Sequence, residues 1–473
     1  MKREKILTVL EQISDKHIQE AERPPRNRKK RFLRIAIAAV LVIVVGINIL
    51  NAPMRISAYV VAEASDPRIP EHPDLDDYDD REEWRAAVAA WDAQYAARND
   101  NTDQAVLGLH SFFVDGNKQF LHTEKNENKI WSPINAYIGL AMTTELTEGE
   151  TRQQVLGALG VEDTDTLRRQ VSAVWESAYK NRSNEICMLA NSLWLEKGLQ
   201  YNQEAMDALG YHYYASVYQG DLGSIQTNKD IAAWINNNTG KFLKDSTKDI
   251  QLSQDTIMAL YSTLYFQAKW ADEFAESKNK EGVFHMPDGD TQAVYMNKDL
   301  EHMNYYWGEN FSAVNMWLKN DCRMWFILPD EGMTTQDVLN NGTYMEMLLS
   351  NEWENYKYMK VNLSVPKFDV ASTMDLRDGL EKMGMTKVFT EYEAEFTKLT
   401  GDTPIWLTGA NQSVRVQIDE EGVKAATYIE IPGAGAAQPP DEIIDFVLDR
   451  PFLFVITNGN IPLFVGCVNN PQS

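Results

Sequence analysis

Apolar positions along the 473-residue chain change their period several times, and each change predicts a different kind of element. Residues 35–50 read IAIAAVLVIVVGINIL, an unbroken apolar run. Counted from Phe32 to Ala52, with Arg34 reaching to the interface, it gives about 21 residues or roughly 31 Å of helix, enough to cross a bilayer once. A Pro- and Asp-rich segment, SDPRIPEHPDLDDYDDREE, follows, and then Trp84, Val88, Trp91 and Tyr95 recur at helical spacing. Helical periods continue through 133–159, 165–182 and 229–243. Strand-like runs take over later, at 323–329, 360–370, 413–419, 450–457 and 461–468. Helices first and strands afterwards predict an α+β fold, not regular βαβ winding.

One stretch begins as one kind of structure and ends as another. EEGVKAATYIEIPGAGAAQPP (420–440) alternates from Val423 onward: Val423, Ala425, Thr427, Ile429 and Ile431 fall on one side, while Lys424, Ala426, Tyr428 and Glu430 fall on the other. Period two marks a strand with one buried face. Pro432, Gly433, Gly435, Pro439 and Pro440 instead belong to an exposed, protease-sensitive loop, because they supply no core side chains and remove ladder donors. The segment is written for two states.

Charge divides the chain further. The formal total is −24, yet residues 1–52 carry 11 Lys and Arg against 5 Asp and Glu, which leaves −30 on the rest. So acidic a body repels nucleic acid and anionic lipid, and no nucleic-acid partner is expected. The sequence predicts a cytoplasmic basic leader at 1–34, a transmembrane signal-anchor at 35–52, an acidic stalk with one helix at 53–102, and a single extracellular domain at 103–473. A cleaved signal peptide is the alternative to the anchor, since Ala62-Glu63-Ala64 resembles a cleavage site; the domain is then secreted. Cys187, Cys322 and Cys467 are few and odd in number and read as core thiols. No G-x-S-x-G elbow, H-E-x-x-H, P-loop or G-x-G-x-x-G is present, and the seven histidines have no metal-ligand spacing. No catalytic residue, cofactor or metal is therefore expected.

Several stretches, in order, resemble the serpin family of serine-protease inhibitors: NKIWSPINAYIGLAMTTELTEGETRQQVLGALG (128–160), ANSLWLEKG, LYFQAKWADEF with Trp270, FILPDEG, VPKFDV followed by LRDGLEKMGMTKVF, IDEEGVKAA, and RPFLFVIT with PLFVGCVNNP. They span nearly all of 103–473. The resemblance implies three β-sheets, A, B and C, about nine helices, and a five-stranded central sheet that accepts a sixth strand from an exposed reactive-centre loop at about 422–440. It also implies a monomer that joins an extracellular serine protease in a covalent complex.

By the same resemblance, Glu420, Glu421, Gly422, Val423, Ala425, Ala426 and Thr427 form the loop hinge, with nothing charged on the inward face. The scissile residue lies fourteen positions after the hinge glycine, at Ala436, so Ala436-Ala437 is the expected reactive bond. A small apolar residue there suits the shallow pocket of an elastase-like protease. Beneath the sheet opening the family places Ser-Pro-x-Ser on the second helix, an Asn on a strand and a His nearby. Here Ser132-Pro133-Ile134-Asn135, Ser262 and Gln412 stand in their stead, so Ser and Asn have exchanged places and a buried bond between Asn135 and Ser262 is expected. A non-inhibitory serpin acting as a binding module is one alternative; an extracellular hydrolase is another, opposed by the missing nucleophile motif.

Overall fold

A single helix, α1 (Arg81–Phe120), runs without a break through positions 102 and 103, where the sequence predicted stalk to give way to domain. Asp80 caps it by accepting a hydrogen bond from the Glu82 N–H, and Glu82 and Glu83 in the first turn suit the positive end of its dipole. The computed structural model describes residues 54–472 apart from 66–72, 74–77, 79, 124–126, 183–184, 245–246, 249, 320–321, 402–403 and 424–441. The basic leader and the apolar run 35–52 lie outside the described residues. Among the described residues no helix is long and apolar enough to cross a membrane.

Eight further α-helices follow among the described residues: α2 (Pro133–Leu146), α3 (Gly149–Ala158), α4 (Thr164–Ala178), α5 (Gln203–His212), α6 (Ile225–Asn238), α7 (Thr335–Asn341), α8 (Thr343–Ser350) and α9 (Arg377–Lys382). Pro133 opens α2, where its missing N–H costs nothing. Almost every residue of α2 is buried, because it runs beneath the central sheet and touches strands of two sheets.

The strands form three hydrogen-bonded sheets, in the fold that the resemblance implied. The first runs β1 (Tyr59–Ala62), β5 (Ala215–Gly220), β4 (Glu185–Glu196), β6 (Met258–Lys269) and β14 (Gly422–Val423), with β3 (Lys180–Arg182) beside β4. The second is a nine-stranded assembly of β15 (Ile443–Val447), β11 (Tyr356–Pro366), β8 (Gly289–Trp307), β9 (Phe311–Trp317), β10 (Cys322–Pro329), β16 (Phe452–Asn458), β17 (Ile461–Val468) and β2 (Lys129–Trp131), with β7 (Lys280–Met286) against β8. The third pairs β12 (Phe368–Asp375) with β13 (Asn411–Ile418).

One core joins these layers, and it holds Cys187, Cys322 and Cys467 as buried thiols. A smaller apolar cluster lies on the opposite face of the first sheet, where Trp194, Tyr218 and Leu222 pack against Ile231, Trp234 and Ile235 of α6. Two features depart from a plain spacer at 53–102. Tyr59–Ala62 is an edge strand antiparallel to β5, and Ile56 and Ala58 pack against the cluster under α6. Period-two reading missed this strand because it is only four residues long and lies beside a Pro-rich run.

Candidate functional site

Between β6 and β13 the central layer is parted. Among the described residues these two strands share no ladder: β6 bonds to β4 and β14, and β13 bonds to β12 alone. A slot therefore runs between them, occupied at one end by the two residues of β14.

That end is built from Asp419. Its Oδ1 accepts from the Glu421 and Gly422 N–H groups at 3.0 and 3.2 Å, an Asx-type turn that swings the chain back toward β6. Gly422 sits at φ +145°, and a Cβ on it would meet the Ala268 oxygen and Lys269 Cα at 2.5 Å, so only glycine fits against that backbone. Gly422 and Val423 then pair antiparallel with Lys269 and Ala268, and Val423 is only 5% exposed. Val423, placed in the hinge by the resemblance, is thus already buried in the resting chain.

Trp270, fully buried, fastens the turn by donating from Nε1 to the Asp419 carbonyl at 2.9 Å and from its N–H to the Glu421 carbonyl at 3.1 Å. The Glu420 carboxylate points inward and is bonded by the Lys367 ammonium and the Asn279 amide. Burial pushes this carboxyl up, yet those two donors more than offset it and hold it below the ordinary glutamate range. Glu421 faces solvent, 3.7 Å from Lys269.

Farther down the slot lies a polar cluster. Asn135 Nδ2 donates to the Ser262 carbonyl at 3.0 Å, and the Ser262 hydroxyl lies against Asn135 Oδ1 and 2.7 Å from Asn191 Oδ1. A hydroxyl has one hydrogen, so the two amide oxygens compete for it. Asn191 faces Ser262 across the β4–β6 ladder, and its own amide donates to the Tyr213 carbonyl at 2.7 Å. Gln412 on β13 clasps the backbone of Ser132, accepting from its N–H at 2.8 Å and donating to its carbonyl at 3.0 Å. The Ser132 hydroxyl is buried with no partner. The exchanged Asn135 and Ser262 are thus brought together, while Ser132 takes part through its backbone alone.

A cavity of about 30 Å³ opens beside this cluster, lined by Asn135 and Ser262 from below, by Val414 and Arg415 of β13, and by Phe242 and Leu243 from the turn after α6. It marks room in the slot. Among the described residues the site offers edges of β6, beyond β14, and of β13 that no ladder joins, over a polar floor, and it contains no nucleophile–base pair.

A model of the serpin family, serine protease inhibitors, matches residues 108–471. The chain belongs to the serpin family. Among its relatives, the alpha-1-antitrypsin-like protein GS55-MS of Ictidomys tridecemlineatus is 27% identical over 377 residues, covering 77% of this chain and 88% of its own. Plasminogen activator inhibitor 1 of Neovison vison is 27% identical over 365 residues, covering 75% and 90%. The native-state crystal structure of the thermophilic serpin tengpin superposes with a TM-score of 0.68 at 24% identity, over 77% of this chain and 94% of that one. A complex of thyroxine-binding globulin with thyroxine superposes at 0.62 and 22% identity, over 78% and 100%. These two show the fold.

The reactive bond Ala436-Ala437 and the hinge residues Ala425, Ala426 and Thr427 lie outside the described residues. Sequence reading missed Lys367, Asn279, Asn191 and Asp419. Only Asp419 left a local signal, since Asp-Glu-Glu-Gly is turn chemistry; the other three reach the site by pairing across distant strands.

Proposed function

We propose that this serpin is a suicide-substrate inhibitor of extracellular serine proteases, elastase-like in specificity. One observation carries the reading: Gly422 and Val423 already lie on the edge of β6, at the head of an open slot. Continuing that antiparallel register sets Ala425, Thr427, Ile429 and Ile431 opposite Phe266, Leu264, Ser262 and Leu260, and Gly433 opposite Met258, the first residue of β6. Each inward position is small or apolar, and each outward one, including Lys424 and Glu430, faces away from the core. Pro432 withholds one ladder hydrogen bond, a loss of about 1 kcal/mol late in the process.

The target's serine hydroxyl attacks the Ala436 carbonyl. The Ala436-Ala437 bond breaks, the Ala437 amine leaves with a proton, and an ester joins protease to inhibitor. Freed at one end, the loop zips down the slot and carries the ester roughly 46 Å, at ~3.3 Å per residue over fourteen residues. Water must then hydrolyse the ester within a displaced, distorted active site, and the complex persists. The apolar run 35–52 after a basic leader supports holding the inhibitor at the outer surface of a membrane, or secreting it if that run is cleaved.

The test is a denaturing gel of residues 54–473 mixed with an elastase and, separately, with trypsin. A band of summed mass that survives boiling is expected with elastase only. Loop cleavage without such a band at any ratio overturns the inhibitor reading in favour of a non-inhibitory serpin.

A further inference from the structure

Away from the slot, a cavity of about 310 Å³ opens where the end of α2, the start of α3, the first turns of α4 and α5, and a strap at 397–399 come together. That volume is at the lower end of the range that holds small-molecule ligands. Backbone bonds tie these pieces to one another. The Leu399 N–H donates to the Leu146 carbonyl at 3.1 Å, the Asn202 N–H to the Leu399 carbonyl at 2.9 Å, and the Glu148 N–H to the Glu395 carbonyl at 2.9 Å. The cavity is therefore built in advance, which spares a ligand the cost of ordering its walls.

Much of the charge around it is already spent. Arg168 grips the Glu145 carboxylate with two nitrogens, each at 2.7 Å, and the Tyr213 hydroxyl donates to the same carboxylate at 2.9 Å, so Glu145 is 6% exposed yet fully met. The remaining Arg168 nitrogen donates to Asp165 at 2.9 Å. Asp163 caps α4 by accepting from the Thr166 N–H at 2.8 Å and the Thr166 hydroxyl at 2.9 Å, and the Asn202 side chain caps α5 by accepting from the Glu204 N–H at 3.0 Å. Both helix starts are satisfied by their own caps, so neither is an open anion site.

What is left unspent has both signs. Arg152 of α3 and Lys398 of the strap act on one carboxylate, that of Glu148, which lies 3.6 Å from Lys398. The Thr397 hydroxyl first, at 2.7 Å, then Lys398 and Arg152 hold that carboxyl below the ordinary glutamate range. Two cations against one anion leave a positive charge over. The Arg152 Nε is moreover buried with no hydrogen-bond partner among the described residues. A buried donor left unmet is costly, and a carboxylate is the acceptor that best fits a guanidinium. On α5, Glu204 stands exposed, and among the described residues its carboxylate has no ion pair. A simple anion would have to approach a body that carries −30; a ligand with both charges is not repelled.

We propose that this cavity binds a small zwitterion, a free amino acid or a short peptide, with its carboxylate on Arg152 and Lys398 and its ammonium on Glu204. Ala205 and Ala208 add a small apolar surface, suited to a small side chain. The site is independent of loop insertion, since none of its residues belongs to the slot.

The test is isothermal titration calorimetry of the full chain in a non-ionic detergent, with alanine, with alanyl-alanine, and with the N-acetylated and the amidated form of each. Saturable one-to-one binding is expected with at least one zwitterion, and the tighter of the two tells a free amino acid from a peptide. Each capped form should bind about tenfold more weakly, the loss of one charge-assisted contact. Arg152→Gln should weaken the zwitterion about tenfold and leave its amidated form unchanged; Glu204→Gln should weaken the zwitterion as much and leave its N-acetylated form unchanged. A general loss of fold cannot produce that crossed pattern, and Glu204, being exposed, can be replaced even if Arg152 cannot. No saturation with either zwitterion up to about 10 mM overturns the site. Equal binding by parent and both variants puts the ligand elsewhere and overturns it too. Citrate that binds more tightly than either zwitterion, unaffected by Glu204→Gln, shows a plain anion site and overturns the ligand class.

Discussion

At the scale of single residues, the site depends on what lies opposite what. Val423 is buried against Ala268 before any protease arrives, and in the inserted state it stays there. Val423→Glu places a carboxylate against Ala268 and so expels the hinge from the β6 edge in the resting chain; insertion must then rebury it, an unpaired buried charge costs several kcal/mol even after relaxation, and each 1.4 kcal/mol on the insertion barrier slows it about tenfold. The variant should still be cut at the loop but should lose most of its covalent complex to hydrolysis, with the hinge expelled and Trp270 fluorescence altered. Undiminished trapping on a denaturing gel rules out a requirement for this residue in the slot. The Asn135–Ser262 pair makes a separate claim. Asn135→Ser removes the amide that bonds the Ser262 carbonyl and should cost about 1 to 3 kcal/mol in urea unfolding; adding Ser262→Asn should recover part. Strict additivity shows that the two side chains are not exchanged partners.

At the scale of elements, the hinge turn is braced by the half-buried ion pair of Glu420 with Lys367. Glu420 sits below its ordinary range because Lys367 and Asn279 bond the ionised form, so its contribution is complete above about pH 5 and disappears as pH falls through the lowered value. The melting temperature of the parent should drop more steeply between about pH 5 and pH 3 than that of Glu420→Gln, which has no such charge to lose; parallel pH profiles show that the pair anchors nothing. How far the elements were legible follows from the same contacts. The alternation of β13, buried at Gln412, Val414, Val416 and Ile418, is plain in SVRVQI, and the apolar runs of β16 and β17 read as core strands. The two-state reading of the segment around Pro432 falls on residues outside those described. Invisible were the parting of β6 from β13, which is a matter of tertiary pairing, and the strand at Tyr59–Ala62, whose partner β5 lies over 150 residues away.

At the scale of the whole molecule, two strand edges, those of β6 and β13, share no ladder among the described residues, and the proposed function has the loop fill the slot between them. Filling it with residues 424–433 gives β6 and β13 the ladder that they lack, buries Ile429 and Ile431 over the Asn135–Ser262 floor, and turns a two-stranded flap into part of a continuous sheet. Roughly ten residues gaining backbone bonds at about 0.5 to 1.5 kcal/mol each, with two large apolar side chains buried, amounts to on the order of 10 kcal/mol. For a chain of this size such a gain raises the melting temperature by on the order of 10 °C or more. Cutting the loop should therefore stabilise the molecule, which is the reverse of what a nick does to most proteins, where a lost covalent link only loosens the fold. The measurement is calorimetry of residues 54–473 before and after limited digestion with an elastase, with mass spectrometry to confirm a single cut near Ala436. An unchanged or lowered melting temperature means that the loop, once free, does not enter the sheet, and a chain with this fold then binds without trapping.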